Sequence, residues 1–147
     1  MPRRRLRTAP AAVAPPRLFV DSSAWIALRS QRDQYHGEAD RLFREAIARR
    51  IPLLTTSLVV AETHRLTLFR AGVLPARRFL ALIDESPSVT IRFPAASEHA
   101  AARGWLERVS SRPVTYTDAV SFAVMVSSGC RPVHGFDQDS TAACITT

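Results

Sequence analysis

The sequence predicts an α/β domain with a three-layer arrangement in which a central, mostly parallel sheet lies between helices. Short apolar strands alternate with helical patterns along the chain, and this alternation is typical of parallel sheets covered on both faces. The first strand, residues 18–20, is apolar throughout and runs directly into Asp21. A chain of 147 residues is also large enough for one domain with a sizeable core. We therefore expect a single folded domain over residues 17–147.

The helix boundaries are predicted from capping residues and apolar periodicity. Ser22 or Ser23 is expected to cap the first helix, and Thr56 or Ser57 the third. Gly72 is expected to end the third helix, because glycine commonly follows the last helical turn. In the first half of the chain, the sequence predicts a strand at 18–20, a helix at 23–28, a second helix, a strand at 51–55 and a third helix to about 70. The inner face of the second helix is predicted to carry Tyr35, Ala39, Leu42, Phe43, Ala46 and Ile47. In the second half, the sequence predicts a helix from Pro75, a strand at 89–92, helices at 96–109 and 117–128, and a strand at 131–136.

The charge of the chain is positive and unevenly distributed. The net charge is +7, and every basic residue is arginine. Four of these arginines lie among residues 1–16, a segment rich in alanine and proline, which we predict to be a disordered basic arm. Arginine binds phosphate through two parallel hydrogen bonds, so the excess suits a nucleic-acid ligand. A bias in overall composition would produce the same excess.

The sequence also predicts where the protein resides. No apolar run is long enough to span a membrane, and no apolar signal core follows the basic start. The two cysteines, Cys130 and Cys144, lack metal-ligand spacing and suit free thiols. We therefore expect a cytoplasmic protein that makes no membrane contact.

Four acidic residues, with a fifth close by in sequence, stand where α/β proteins place their chemistry. Asp21 follows the first strand and Asp137 follows the last, with Asp139 two residues on. Ligands of parallel sheets bind just beyond the carboxyl ends of the strands. Asp118 opens the most apolar helix of the chain, and Glu62 falls within the apolar stripe of the third helix.

Apart from Asp21, each of these acids also has a purely structural interpretation. Glu62, which shares its predicted stripe with Phe69, would be neutralised by Arg65 three residues further along the helix. Asp118 and Thr115 match the spacing of a capping box. The acids after the last strand fit an Asx turn that closes a loop.

Taken together, the carboxylates favour a metal site. Carboxylates that lie close together disfavour one another's charged form, and a divalent cation removes that cost. Oxygen ligands suit Mg²⁺ or Mn²⁺, whereas the sequence offers neither a histidine pair nor the cysteine spacing typical of zinc. A site of this kind predicts hydrolysis of phosphodiesters, with the metal orienting and activating water.

Five short segments occur in the order and spacing of a known family. They are Val20-Asp21-Ser22-Ser23, Asp33-Gln34-Tyr35-His36-Gly37-Glu38-Ala39, Ala61-Glu62, Thr115-Tyr116-Thr117-Asp118-Ala119 and Phe136-Asp137-Gln138-Asp139. In these segments the chain resembles the PIN domains, metal-dependent ribonucleases that include the VapC-type toxins. The resemblance extends over residues 17–147.

The resemblance implies a site and a set of partners. The family's acidic cluster maps to Asp21, Glu62, Asp118 and Asp137, with Asp139 nearby, and its metal ligands map to Asp21 and Asp118. It further implies Mg²⁺ or Mn²⁺ as cofactor, RNA as substrate, a homodimer and a cognate antitoxin that covers the site. The hydroxyls expected to support the metal site are those of Ser22 or Ser23 and of Thr117.

The chain departs from the family pattern at three places. Ser140 stands where an aromatic residue is frequent, Ala143 and Cys144 replace a glycine, and Ser110 and Ser111 replace an acid before the third motif. None of these departures removes a carboxylate of the predicted site. They concern the geometry of the last loop, and with it the roles of the acids after the last strand.

Three functions fit these observations to different degrees. The leading hypothesis is a metal-dependent endoribonuclease, the toxin of a toxin–antitoxin pair, with Asp21, Glu62 and Asp118 at the metal and Asp137 completing the site. The alternative is a non-catalytic RNA-binding or interaction module on the same fold, which the basic arm favours. A phosphatase that uses Asp21 as nucleophile fits worst, because Ser23 stands where that chemistry usually needs a second acid.

Overall fold

The computed structural model describes residues 17–109 and 111–132. The predicted arm and the acids Asp137 and Asp139 lie outside the described residues, as does most of the predicted last strand. The elements in chain order are β1 (Leu18–Phe19), α1 (Ser22–Arg29), α2 (His36–Ala48), β2 (Leu53–Thr56), α3 (Ser57–Ala71), α4 (Val73–Glu85), β3 (Val89–Arg92), α5 (Ala96–Arg108), α6 (Tyr116–Ser128) and β4 (Arg131–Pro132).

Within these ranges the strands form one parallel sheet in the order β3–β2–β1–β4. Leu18 of β1 lies opposite Leu53 of β2, and the backbone N–H of Val20 donates to the carbonyl of Leu54 at 2.8 Å. All four residues of β2 are buried, because this strand lies between two others. The predicted α/β class with a parallel sheet is therefore confirmed.

An aromatic cluster packs against the sheet and forms part of the core. Trp25 of α1 is only 2% exposed, and its ring centroid lies 5.3 Å from that of Phe43 and 5.9 Å from that of Phe79. These distances are typical of favourable tilted and edge-to-face ring contacts. The cluster holds α1, α2 and α4 together, so α1 has a fixed position at the end of β1.

The starts of α1 and α4 differ from the sequence prediction. The residue that caps α1 is Asp21 itself, not Ser22 or Ser23, because its carboxylate accepts the N–H of Ala24. The fourth helix begins at Val73 and not at Pro75, since Gly72 with φ 97° allows the chain to turn directly from α3 into α4.

Three residues predicted to face the core are exposed. Tyr35, which stands just before the first turn of α2, is 37% exposed. Ile47 at the end of α2 is 59% exposed and Phe69 near the end of α3 is 77% exposed. Both lie close to the last turn of their helices. The guanidinium of Arg65 lies 5.5 Å from the centroid of the Phe69 ring, which gives this exposed side chain a contact of its own. The predicted inward orientation of Tyr35, Ile47 and Phe69 was wrong.

The cap of α3 supports a first prediction. The hydroxyl of the buried Thr56 accepts the backbone N–H of Val59 at 3.2 Å. Changing Thr56→Ala is expected to lower the free energy of unfolding by about 1–2 kcal/mol, as loss of an N-cap hydroxyl typically does. The measurement is urea unfolding beside Thr56→Ser, which keeps the hydroxyl and should lose less stability. Equal losses in the two variants would contradict the role of the cap.

Candidate active site

Asp21 stands at the junction between β1 and α1. Its backbone is extended, with φ −87° and ψ 179°, so the chain leaves the sheet there and α1 begins at the next residue. The carboxylate oxygen Oδ1 accepts the hydroxyl of Ser23 at 2.8 Å and the N–H of Ala24 at 2.9 Å. These two hydrogen bonds orient the carboxylate at the carboxyl end of the strand, where the sequence predicted it.

Buried hydrogen bonds fix the end of β1 from the side of β2. Thr55 Oγ1 donates to the carbonyl of Val20 at 2.9 Å and accepts Trp25 Nε1 at 3.4 Å. Thr55 is fully buried, so these bonds are protected from water. The apolar pattern of residues 51–55 predicted Thr55 only as a strand residue. The available signal was a hydroxyl pair, Thr55 and Thr56, at the end of an otherwise apolar strand.

Glu62 lies on α3 and is half-buried, at the edge of the apolar stripe. The buried positions of this helix are Val59 and Thr63, so the predicted burial of Glu62 within the stripe was wrong. Among the described residues Glu62 makes no ion pair within 4.0 Å, and the proposed pairing with Arg65 is not formed. Its carboxylate is therefore not neutralised by a side chain in the described part of the protein.

Asp118 lies in the first turn of α6 and is half-buried. Its backbone N–H donates to the hydroxyl of Thr115 at 3.1 Å, which confirms one half of the predicted capping box. The neighbouring Thr117 is half-buried, and its carbonyl accepts the hydroxyl of Ser121 at 2.9 Å. The cap places Asp118 at the start of a helix whose next four residues are all buried.

Asp21, Glu62 and Asp118 lie on or beside helices that pack against one another. The helix that carries Glu62 packs against both α1, which begins beside Asp21, and α6, which carries Asp118. Within residues 17–109 and 111–132, however, no three histidine, cysteine, aspartate or glutamate side chains lie close enough to hold a metal ion together. Asp137 and Asp139 lie outside the described residues. The shared metal site therefore stays a prediction.

The three described acids nevertheless offer the oxygen ligands that a hard cation such as Mg²⁺ prefers. Asp21, Glu62 and Asp118 offer only oxygen, and Ser23 holds the carboxylate of Asp21 in one orientation. Mg²⁺ is commonly bound through one or two carboxylates and keeps water in its remaining positions. The residues present are therefore compatible with Mg²⁺ or Mn²⁺.

A parallel sheet in which an inner strand runs into an oriented aspartate, with further acids on adjoining helices, is compatible with hydrolysis of phosphodiesters. The profile of the PIN domain matches residues 18–144 of the chain. The chain therefore belongs to the PIN-domain family, and the relatives below place it among the VapC-like ribonuclease toxins of that family.

The relatives are similar over nearly their whole length. The 23S rRNA-specific endonuclease VapC20 of Mycobacterium tuberculosis is 37% identical over 127 residues, which are 86% of this chain and 93% of the relative, in each of two strains. The crystal structure of Mycobacterium tuberculosis VapC20, described as a sarcin–ricin loop cleaving toxin, matches with a TM-score of 0.77 and 35% identity. That match covers 88% of this chain and 96% of the solved chain.

None of the helices within the described ranges has both the length and the apolar character needed to cross a membrane.

Proposed function

We propose that this protein cleaves 23S rRNA in its sarcin–ricin loop with the help of Mg²⁺ or Mn²⁺. The observation that carries the proposal is the oriented Asp21 at the carboxyl end of β1 in a chain that is 37% identical to a 23S rRNA-specific endonuclease. In this proposal Asp21 and Asp118 hold the metal, while Glu62, Asp137 and Asp139 support it.

The protein's own residues orient the site. Ser23 and the N–H of Ala24 hold Oδ1 of Asp21, and Thr55 holds the strand that carries it. The Thr115 cap holds the start of α6 and thereby Asp118. PIN-domain nucleases generally use a divalent metal, and when bound it supplies activation of water and stabilisation of charge on the phosphate. Positioning of the acids before substrate arrives lowers the cost of reaching the reactive geometry.

The proposal includes protein partners and a location. Phe69, Val73 and Leu74 are exposed apolar side chains around the turn between α3 and α4, and exposed apolar patches commonly mark protein interfaces. This supports assembly with a cognate antitoxin and with a second copy of the chain as a homodimer. A toxin that cleaves rRNA acts in the cytoplasm.

Metal removal tests the proposed chemistry. The purified protein, free of antitoxin, is incubated with a synthetic RNA that carries the sarcin–ricin loop, in Mg²⁺, in Mn²⁺ or in EDTA. We expect discrete products with either metal, loss of these products in EDTA, and their return when excess Mn²⁺ is added.

Two results would contradict this proposal in different ways. Equal cleavage in EDTA would show that hydrolysis does not need a divalent metal. Absence of products under every condition, from folded protein that still binds the RNA, would favour the non-catalytic RNA-binding module, which the net charge of +7 supports.

A further inference from the structure

A groove extends from the candidate active site along the surface of α1 and α3. Its near part, about 260 Å³, is lined by Ser22 and Ser23, which flank the oriented Asp21. Its far part, about 750 Å³, continues to Pro75 at the start of α4. Three residues line both parts and make the groove continuous: Ile26, Asp33 and Arg70. We call this feature the arginine groove.

Three arginines line the arginine groove, and their charge is not balanced locally. Arg29 ends α1, Arg32 lies in the loop after it, and Arg70 lies in the last turn of α3. All three are exposed, and none forms an ion pair within 4.0 Å in the part of the chain that the structure describes. The one acid of the lining, Asp33, accepts the backbone N–H of Tyr35 at 2.8 Å.

The positive charge and the position of the groove together favour a nucleic-acid strand. Like charges held close together repel one another, and a ligand with regularly spaced negative charges removes that repulsion. Arginine binds phosphate oxygens through two parallel hydrogen bonds, which suits a phosphodiester backbone. An RNA strand that is cut at Asp21 must also continue beyond the cut, and the groove opens directly beside Ser22 and Ser23.

We infer that the arginine groove holds the phosphate backbone of the RNA on one side of the cleaved bond, with Arg29, Arg32 and Arg70 as positioning residues. This inference rests on the proposed ribonuclease function and adds the surface that guides the substrate. Contacts to phosphate set the register of the strand and carry no base specificity. The groove therefore contributes affinity, while the choice of cleavage site comes from other contacts.

RNA binding by arginine variants tests the inference. Arg29→Ala, Arg32→Ala and Arg70→Ala are made singly and together in the Asp21→Asn protein, which prevents cleavage of the probe. The probe is a twelve-nucleotide polyuridine, because phosphate contacts do not depend on sequence. Arg77→Ala combined with Arg78→Ala is the matched control, since these exposed arginines of α4 line neither part of the groove.

Loss of the groove arginines should change RNA affinity, its salt dependence and KM. Each groove substitution should weaken binding and reduce the slope of log K against log salt by about 0.7–1, as expected for one lost phosphate contact. In the cleavage-competent protein the triple variant should raise KM at least about 10-fold and leave kcat within about 2-fold, because positioning contacts act on binding. The rise in KM should vanish for a substrate that is truncated on one side of the cleaved bond. It should persist for a substrate that is truncated on the other side.

Several outcomes would overturn the inference. One is a triple variant that binds polyuridine with the affinity and salt slope of the Arg77/Arg78 control. Another is a triple variant that loses only antitoxin binding, because the groove would then serve an acidic protein segment. Thermal unfolding of each variant separates these results from misfolding. A wild-type protein that binds the probe through the groove yet cleaves no RNA would instead contradict the proposed function.

Discussion

Replacing Asp21 with asparagine is expected to lower the rate of RNA cleavage by at least about 100-fold, since even outer partners of metal sites contribute roughly 10- to 100-fold. The substitution removes the negative charge and keeps the shape of the side chain. Asparagine is as good an N-cap residue as aspartate, and its carbonyl oxygen can accept the same two hydrogen bonds from Ser23 and Ala24. The fold should therefore survive while the activity is lost.

The measurement is the initial rate on the sarcin–ricin RNA in Mg²⁺, together with the thermal midpoint of each protein. Asp84→Asn is the matched control, because Asp84 is exposed on α4. This substitution makes the same chemical change away from the site. The control should retain wild-type cleavage. Cleavage by Asp21→Asn at the rate of the control would remove Asp21 from the catalytic site.

A buried ionic cluster far from Asp21 in sequence supports the second large prediction. Glu98 is only 5% exposed and its carboxylate accepts the N–H of Ala95 at 3.0 Å, Arg92 Nη2 at 3.1 Å and the Ser127 hydroxyl at 2.7 Å. Arg92 also donates to the hydroxyl of Ser128. The cluster connects β3, α5 and α6, so it holds the helix that carries Asp118.

Removing the carboxylate is expected to destabilise the fold. Glu98→Ala should lower the free energy of unfolding by about 2–3 kcal/mol, because hydrogen bonds to a charged group are lost and the guanidinium of Arg92 loses its ion-pair partner. Urea unfolding at neutral pH measures the effect. Glu107→Ala, an exposed position on the same helix, is the control and should cost much less. Equal losses would mean that the cluster does not stabilise the protein.

The same cluster makes stability depend on pH. Burial raises the pKa of Glu98, but the Ala95 N–H, the Ser127 hydroxyl and the charge of Arg92 together lower it further, so the pKa lies below its ordinary value of 4.5. The unfolded chain therefore binds a proton more readily than the folded protein in the acid range. The contribution of Glu98 to stability is present above pH 4.5 and is lost as the pH falls through its folded pKa.

Unfolding measured from neutral to acid pH tests this dependence. Wild-type protein should lose stability more steeply below pH 4.5 than Glu98→Gln, which cannot titrate at this position. Parallel curves for the two proteins would show that Glu98 titrates alike in the folded and unfolded states.

The fold was predictable because its signals are local. Apolar strands and capped helices follow one another, and Thr56 caps α3 as one of the two predicted candidates. Ile47 and Phe69 were assigned to the core wrongly because periodicity identifies a helix face without showing where the core ends along the helix. Asp21 caps α1 because its carboxylate reaches the N–H of Ala24, a local competition with Ser22 and Ser23 that sequence alone does not decide.

The candidate site was predictable to a smaller extent. Asp118 could be placed because it stands at the start of a helix, and that position follows from local sequence. The contact between Thr55 and Val20 joins residues 35 positions apart, and the arginine groove combines Arg29 with Arg70, which lie 41 positions apart. Such contacts depend on strand order and helix packing, so periodicity and spacing could not reveal them.

Metal binding measured without RNA decides whether Asp21 and Asp118 share one divalent-metal site. We would titrate Mn²⁺ into wild-type protein, Asp118→Asn and Asp84→Asn and follow binding by calorimetry, without RNA. We expect one class of site in the wild type and in Asp84→Asn, and an affinity at least about 10-fold weaker in Asp118→Asn. Equal Mn²⁺ affinity in all three proteins would show that Asp118 does not bind the metal.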